Sequence, residues 1–177
     1  ILTKHLSNLD LDYILLFGCS IIREPLLSIY KNKIINMHLG LSPYYRGTAT
    51  NFWPLVDLKP ECVGVTIHYA TNELDGGNII LQARPSISKY DTVHDIGCKT
   101  IIKGIKLLKS ILEYKGNLPS GVKQRNHGIL RKRSDFNAKA VKTLEENFAA
   151  GMIEKYIEQK HNRDLSFPIV DSLLLTS

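Results

Sequence analysis

Short apolar runs alternate with segments of helical spacing along most of the chain. "LDYILLFG" (Leu11–Gly18) is a compact apolar run closed by glycine, the pattern of a strand buried on both faces. "CSIIREPLLSIY" follows, with Pro25 placed near the start of a short helix. "KIINMH" (Lys33–His38) is a second β-rich run. Beyond a polar loop, "TNFWPLVDLKPE" predicts a helix cut short by Pro60. "CVGVTIHYA" (Cys62–Ala70) alternates, which puts Val65, Ile67 and Tyr69 on one face of a strand and Thr66 and His68 on the other. "TNELDGGN" is turn chemistry, and "IILQARPSI" is a further strand.

The strongest helix signal is "DTVHDIGCKTIIKGIKLLKSILEYKG". Asp91 or Thr92 can cap it, Gly116 can close it, and Cys98, Ile101, Ile105, Leu108 and Leu112 recur as the stripe of an amphipathic helix. A basic, loop-like stretch leads to a second amphipathic helix carrying Val141, Leu144, Phe148, Met152 and Tyr156. The tail "HNRDLSFPIVDSLLLTS" carries no clear signal, and there is no internal repeat. Strands alternating with helices predict an α/β fold with a partly parallel sheet.

At 177 residues the chain suits one domain with a sizeable core. Its apolar runs are too short to span a bilayer, and "ILTKHLSNLD" lacks a signal-peptide core. Cys19, Cys62 and Cys98 lie far apart, which points to free thiols in a reducing, cytoplasmic setting rather than to disulfides or zinc. The net charge of +6 concentrates in Lys123–Lys142, where seven Lys or Arg face one Asp. That stretch reads as a solvated face, or as a patch attracting an anionic substrate or partner. It lacks the interleaved aromatics of a nucleic-acid groove, Phe136 apart.

The polar loop changes the picture. In "NMHLGLSPYYRG" (Asn36–Gly47), Asn36 and His38 leave the end of a strand on one face, where open α/β sheets bind ligands. Asp75, in the "ELDGG" turn, can reach back to orient the imidazole. Two donors and a carboxylate make an apparatus for stabilising an oxyanion. On residue chemistry alone a second reading stands beside it: a polar loop, and an aspartate that only forms a turn.

The same two segments, "NMHLGLSPYYRG" and "VGVTIHYATNELDGGNIILQ", resemble the paired signature of the folate-dependent formyltransferases. They match in order and spacing over roughly Leu11–Gln82, with weaker similarity to about Phe136. The resemblance implies the C-terminal portion of a Rossmann-like catalytic domain over 1–120, then a basic loop and helical extension over 121–177. It implies Asn36, His38 and Asp75 as catalytic residues and no metal. It implies a pterin-binding segment from Gly18 through Ile21, Ile22 and Arg23, with Leu74 and Gly76 beside Asp75. The formyl donor would be 10-formyltetrahydrofolate and the acceptor a small-molecule or nucleotide-linked amine. Asn36 and a protonated His38 would stabilise the oxyanion, with Asp75 raising the His38 pKa.

Departures from the pattern narrow this. Ser42 stands where the family usually has Leu, and "YYRG" with "NFWPL" resembles members acting on amino sugars or aminoacyl-tRNA. The extra β-domain of the tRNA-formylating members has no counterpart after Pro119, which favours an amino-sugar nucleotide. Methionyl-tRNA or glycinamide ribonucleotide formylation, formyltetrahydrofolate hydrolysis, and a non-catalytic remnant are the alternatives. The family's leading βαβ units have no match before Ile1, so a truncated chain is expected, with Tyr13–Phe17 at an open sheet edge. His68 is a lesser candidate, supporting the trio or serving only as a bonded strand histidine.

Overall fold

The computed structural model describes Leu6, residues 9–124 and residues 128–171. Four strands form the main sheet: β1 (Ile14–Phe17), β2 (Ile34–His38), β4 (Val65–Tyr69) and β5 (Ile79–Ala83), in the order β1-β2-β4-β5. β1 runs parallel to β2, and the pairs β2–β4 and β4–β5 are antiparallel, so the sheet is partly parallel. β3 (Tyr45–Gly47) pairs in parallel with β6 (Ile129–Arg131) in a small second sheet. The helices are α1 (Leu26–Ile29), α2 (Trp53–Val56), α3 (Val93–Glu113), α4 (Ala138–Ala149), α5 (Met152–Glu158) and α6 (Lys160–Leu165). Pro60–Cys62 is a 3₁₀ turn, where the helix begun at Trp53 has already ended.

The period-two pattern sorts the central strands into two faces. Ile35 and Met37 of β2 join Val65, Ile67 and Tyr69 of β4 in the apolar core beneath α3. Ile35 and Ile67 are fully buried, and each side chain so placed is worth about 1.5–3 kcal/mol. The opposite face carries Asn36, His38, Thr66 and His68. Antiparallel register sets Asn36 directly across from His68, and His38 across from Thr66.

α3 starts where the capping residues predict. Thr92 accepts from the Asp95 N–H while the Asp95 carboxylate accepts from Thr92, closing a capping box. Its buried side differs from the predicted stripe. Gly104 and Ile111 face the sheet with Leu107 and Leu108 packed beside them, and Ile96 and Thr100 are also buried, while Cys98, Ile105 and Leu112 of the predicted stripe are exposed. The cause is close approach: a Cβ on Gly104 would lie 2.6 Å from Met37 Sδ and 3.0 Å from Val65 Cγ2. A helix this near a sheet presents its small residues to it. α3 ends at Tyr114 in extended backbone, without using Gly116.

The second predicted helix is two. Gly151 takes φ 75° between α4 and α5, and its N–H bonds back to the Phe148 carbonyl. The apolar side continues across the break: Leu144, Met152, Ile153 and Tyr156 pack with Leu55, Val63, Ile87 and Ile96. The segment after residue 121 thereby shares a core with the segment before it.

β1 is shorter than its apolar run and alternates half-buried with exposed. It is the last strand of the sheet on its side among the described residues, with Leu15 39% and Phe17 49% exposed. At the far side of the sheet the tail is strapped down by polar contacts. Gln82 exchanges hydrogen bonds with Val170, Tyr44 Oη donates to the Pro168 carbonyl, and Arg84 donates to the Phe167 carbonyl. No helix among the described residues is long and apolar enough to cross a membrane.

Candidate active site

β2 ends at His38, and the chain turns back through Gly40–Ser42. Buried Thr66 seats that turn: its hydroxyl accepts from the Ser42 N–H (3.0 Å) and donates to the Gly40 carbonyl (2.6 Å). Gln82 Nε2 donates to Thr66 Oγ1 (2.9 Å) and to the Ser42 carbonyl (2.6 Å). Gly40 leaves room for the imidazole, since a Cβ there would sit 2.6 Å from His38 Nε2.

The turn after β4 brings Asp75 to the same place. Asp75 adopts φ 50°, in the left-handed region that Asp tolerates better than most residues. Gln124 Nε2 donates to the Asp75 carbonyl (2.8 Å) and the Gly77 carbonyl (2.7 Å), which holds the turn. The Asp75 carboxylate is buried. Its Oδ2 accepts from the Gly47 N–H (2.9 Å), and its Oδ1 lies 3.4 Å from His38 Nδ1. Arg46 Nη1 donates to Glu73 Oε1 (2.7 Å), tying the two loops together.

The trio therefore converges. His38 sits between Asp75 and the Tyr45 carbonyl, 3.2 Å from its Nε2. Asn36 Nδ2 lies 3.1 Å from Nε2 of His68. The electrostatic balance at His38 runs against the raised pKa expected for it. Burial pulls the pKa below its ordinary 6.5, and the Asp75 carboxylate and Tyr45 carbonyl offset this only in part. With both ring nitrogens facing oxygen acceptors, the ring is nonetheless well placed to carry a proton briefly. His68 is likewise lowered by burial, with the His38 ring adding to the effect and Asp75 opposing it.

Two cavities meet at this point. One is lined by Leu16, Ile21, Ile22, Glu73 and other residues, the second by Phe17, Gly18, His38 and Thr48–Phe52. Asn36, Asp75, Leu74 and Cys19 line both. Of the residues matched to the pterin segment, Ile21, Ile22 and Leu74 line the first cavity and Gly18 the second. Arg23 and Gly76 line neither: Arg23 points to solvent, and Glu73 folds over Gly76. Glu73, Thr48, Thr50 and Asn51 also line these cavities, and their polar side chains carry no periodic signal in the sequence. No cluster of His, Cys, Asp and Glu among the described residues is arranged to hold a metal ion.

The formyl transferase family model matches residues 2–112, a span that includes the whole trio and both cavity-lining loops. The chain belongs to the formyl transferase family. The methionyl-tRNA formyltransferase of Staphylococcus aureus is 35% identical over 128 residues, covering 71% of this chain and 39% of that enzyme. The chain thus spans about two fifths of the length of the curated relatives it matches. Two solved formyltransferases are similar in fold. PseJ from Anoxybacillus kamchatkensis, in complex with UDP-4,6-dideoxy-4-formamido-L-AltNAc and tetrahydrofolate, has a TM-score of 0.64 and 28% identity, covering 71% of this chain and 67% of its own. The N-formyltransferase from Helicobacter canadensis, with folinic acid and dTDP-3-aminofucose, has a TM-score of 0.67 and 26% identity, covering 82% and 58%.

Proposed function

We propose that the site transfers a formyl group from 10-formyltetrahydrofolate to the primary amine of an amino-sugar nucleotide. The observation that carries this reading is the placing of Asn36, His38 and Asp75 where the two cavities meet. A donor on one side and an acceptor on the other would present their reacting atoms to all three. The first cavity suits a pterin: Ile21, Ile22 and Leu74 offer apolar faces to a flat ring, and the Glu73 and Asp75 carboxylates can accept from its N–H groups. The second is lined by Thr48, Thr50, Asn51 and Phe52, hydroxyls and an amide beside one aromatic ring, which suits a hydroxylated sugar. The sugar-nucleotide ligands of the two solved formyltransferases support the same acceptor class.

Bound formyltetrahydrofolate supplies an amide carbon that accepts the amine lone pair and then releases N10. Asn36 Nδ2–H donates to the formyl oxygen as its charge grows, and His38 stabilises the same charge. Asp75 holds the imidazole and accepts the proton that the attacking nitrogen loses, directly or through a water; that proton then goes to the departing N10.

A second reading, methionyl-tRNA formylation, rests on the 35% identity to the Staphylococcus enzyme. Incubating the protein with 10-formyltetrahydrofolate and, separately, a UDP-linked 4-amino sugar, dTDP-3-aminofucose or methionyl-tRNA distinguishes the two. Mass spectrometry should find a formamido sugar and stoichiometric tetrahydrofolate. Formylated methionyl-tRNA alone would move the assignment to tRNA, and formate without acceptor consumption would make the reaction hydrolysis.

A further inference from the structure

His68 is buried on the strand opposite Asn36, and its two ring nitrogens face different partners. Nδ1 lies 2.9 Å from the Tyr69 carbonyl oxygen. That oxygen can only accept, so Nδ1 carries the hydrogen. A second proton on a ring this buried is disfavoured, which leaves Nε2 with a bare lone pair. Nε2 is 3.1 Å from the Asn36 carboxamide. It is also 3.8 Å from Asp75 Oδ1, but a bare nitrogen and a carboxylate oxygen have no hydrogen to share. Among the described residues, the donor placed to satisfy Nε2 is the Asn36 NH₂.

Resting on the formyl-transfer reading, we propose that His68 is the positioning residue for Asn36, holding the carboxamide with its nitrogen toward the oxyanion. The chain of bonds starts at a fixed backbone atom. The Tyr69 carbonyl sets the His68 tautomer, the tautomer sets which end of the Asn36 amide faces it, and the second Nδ2–H is left for the formyl oxygen. An amide turned over by 180° would put Oδ1 against the Nε2 lone pair and a second acceptor against the developing negative charge. Cross-strand register holds the two residues face to face. Gly77 packs so close to the Tyr69 carbonyl that a Cβ there would lie 1.7 Å from its oxygen, and this fixes the anchor.

The test has a kinetic and a spectroscopic arm. His68→Leu removes the acceptor, and His68→Gln returns one near the Nε2 position. His68→Leu should lower kcat by about 10–10²-fold with KM for both substrates little changed, and His68→Gln should recover much of that loss. In an Asn36→Ala background His68→Leu should cost less than about twofold more, because its partner is already gone. An equal loss in both backgrounds would overturn the proposal, since His68 would then act independently of Asn36. Nitrogen NMR of the wild-type ring should find Nδ1 protonated and Nε2 bare at neutral pH. A protonated Nε2 would also overturn it, even if His68→Leu failed to fold. Absence of any turnover in the wild type would count against formyl transfer itself, and the NMR arm would still decide the tautomer.

Discussion

At the scale of single residues the site depends on two directions in space. Asn36 and His38 were readable together because the side-chain period of a strand is local: two residues apart means one face. The turn chemistry of "ELDGG" suggested that Asp75 could reach back, and the family signature strengthened that reading, but the Gly47 N–H that holds its carboxylate is distant in sequence and left no local trace. Burial at His38 left no trace in the sequence. We expect His38→Ala and Asp75→Ala each to cut formyl transfer by about 10²–10³-fold in steady-state assays. Gly40→Ala should lower kcat by about 10–10²-fold and destabilise the fold by about 1–3 kcal/mol, because the added methyl would press on both the His38 imidazole and buried Thr50. The two buried histidines also give stability a pH dependence. Both have folded pKa values below the ordinary 6.5, so above that value each is neutral in either state and contributes no slope. Below it the unfolded chain binds protons that the folded one does not, and stability falls by up to about 1.4 kcal/mol per pH unit for each. Urea midpoints measured between about pH 7.5 and about pH 5.5 should drop, and should drop less for His68→Gln. Equal midpoints across that range would contradict the burial of both rings.

Elements were legible in kind and less so in orientation. α3 begins at its predicted cap because Thr92 and Asp95 are a local signature. Its buried face was only partly legible, because hydropathy marks large apolar residues such as Leu108, while the closest approach to the sheet is made at Gly104. Gly104→Leu should therefore destabilise the fold by about 1–3 kcal/mol, by driving a side chain into Met37 and Val65. Ile105→Lys, one residue along and exposed, should stay within about 0.5 kcal/mol of the wild type. Chemical denaturation of the two variants side by side checks the register of the helix. The break at Gly151 was hidden for a different reason: the apolar spacing runs through it unchanged, and only the positive φ ends α4.

For the molecule as a whole, alternating strands and helices led to a partly parallel sheet, and the order β1-β2-β4-β5 has that character. The outward position of Leu15 and Phe17 leaves β1 with an apolar side and an unpaired edge among the described residues, a template for another strand. These 177 residues, expressed alone, should self-associate with rising concentration, and Leu15→Lys should shift sedimentation toward monomer. A monomer at all concentrations would mean that the edge is covered. The tail was silent in the sequence because it is held by hydrogen bonds, several of them to main-chain atoms, which leave no hydropathy pattern.

That tail also sets an order of events during synthesis. Gln82 seats the turn after His38 through Thr66 and Ser42, and it is itself clasped by Val170. Tyr44, in the turn's continuation, is bonded to a carbonyl 124 positions further along. A ribosome delivers Asn36, His38 and Asp75 early, but the clamp on their loop cannot close until Pro168–Val170 have left the exit tunnel. A nascent chain stalled before that point would hold all three residues of the proposed trio in an unfastened site, so the geometry proposed for formyl transfer would be completed by the last strap rather than by Asp75.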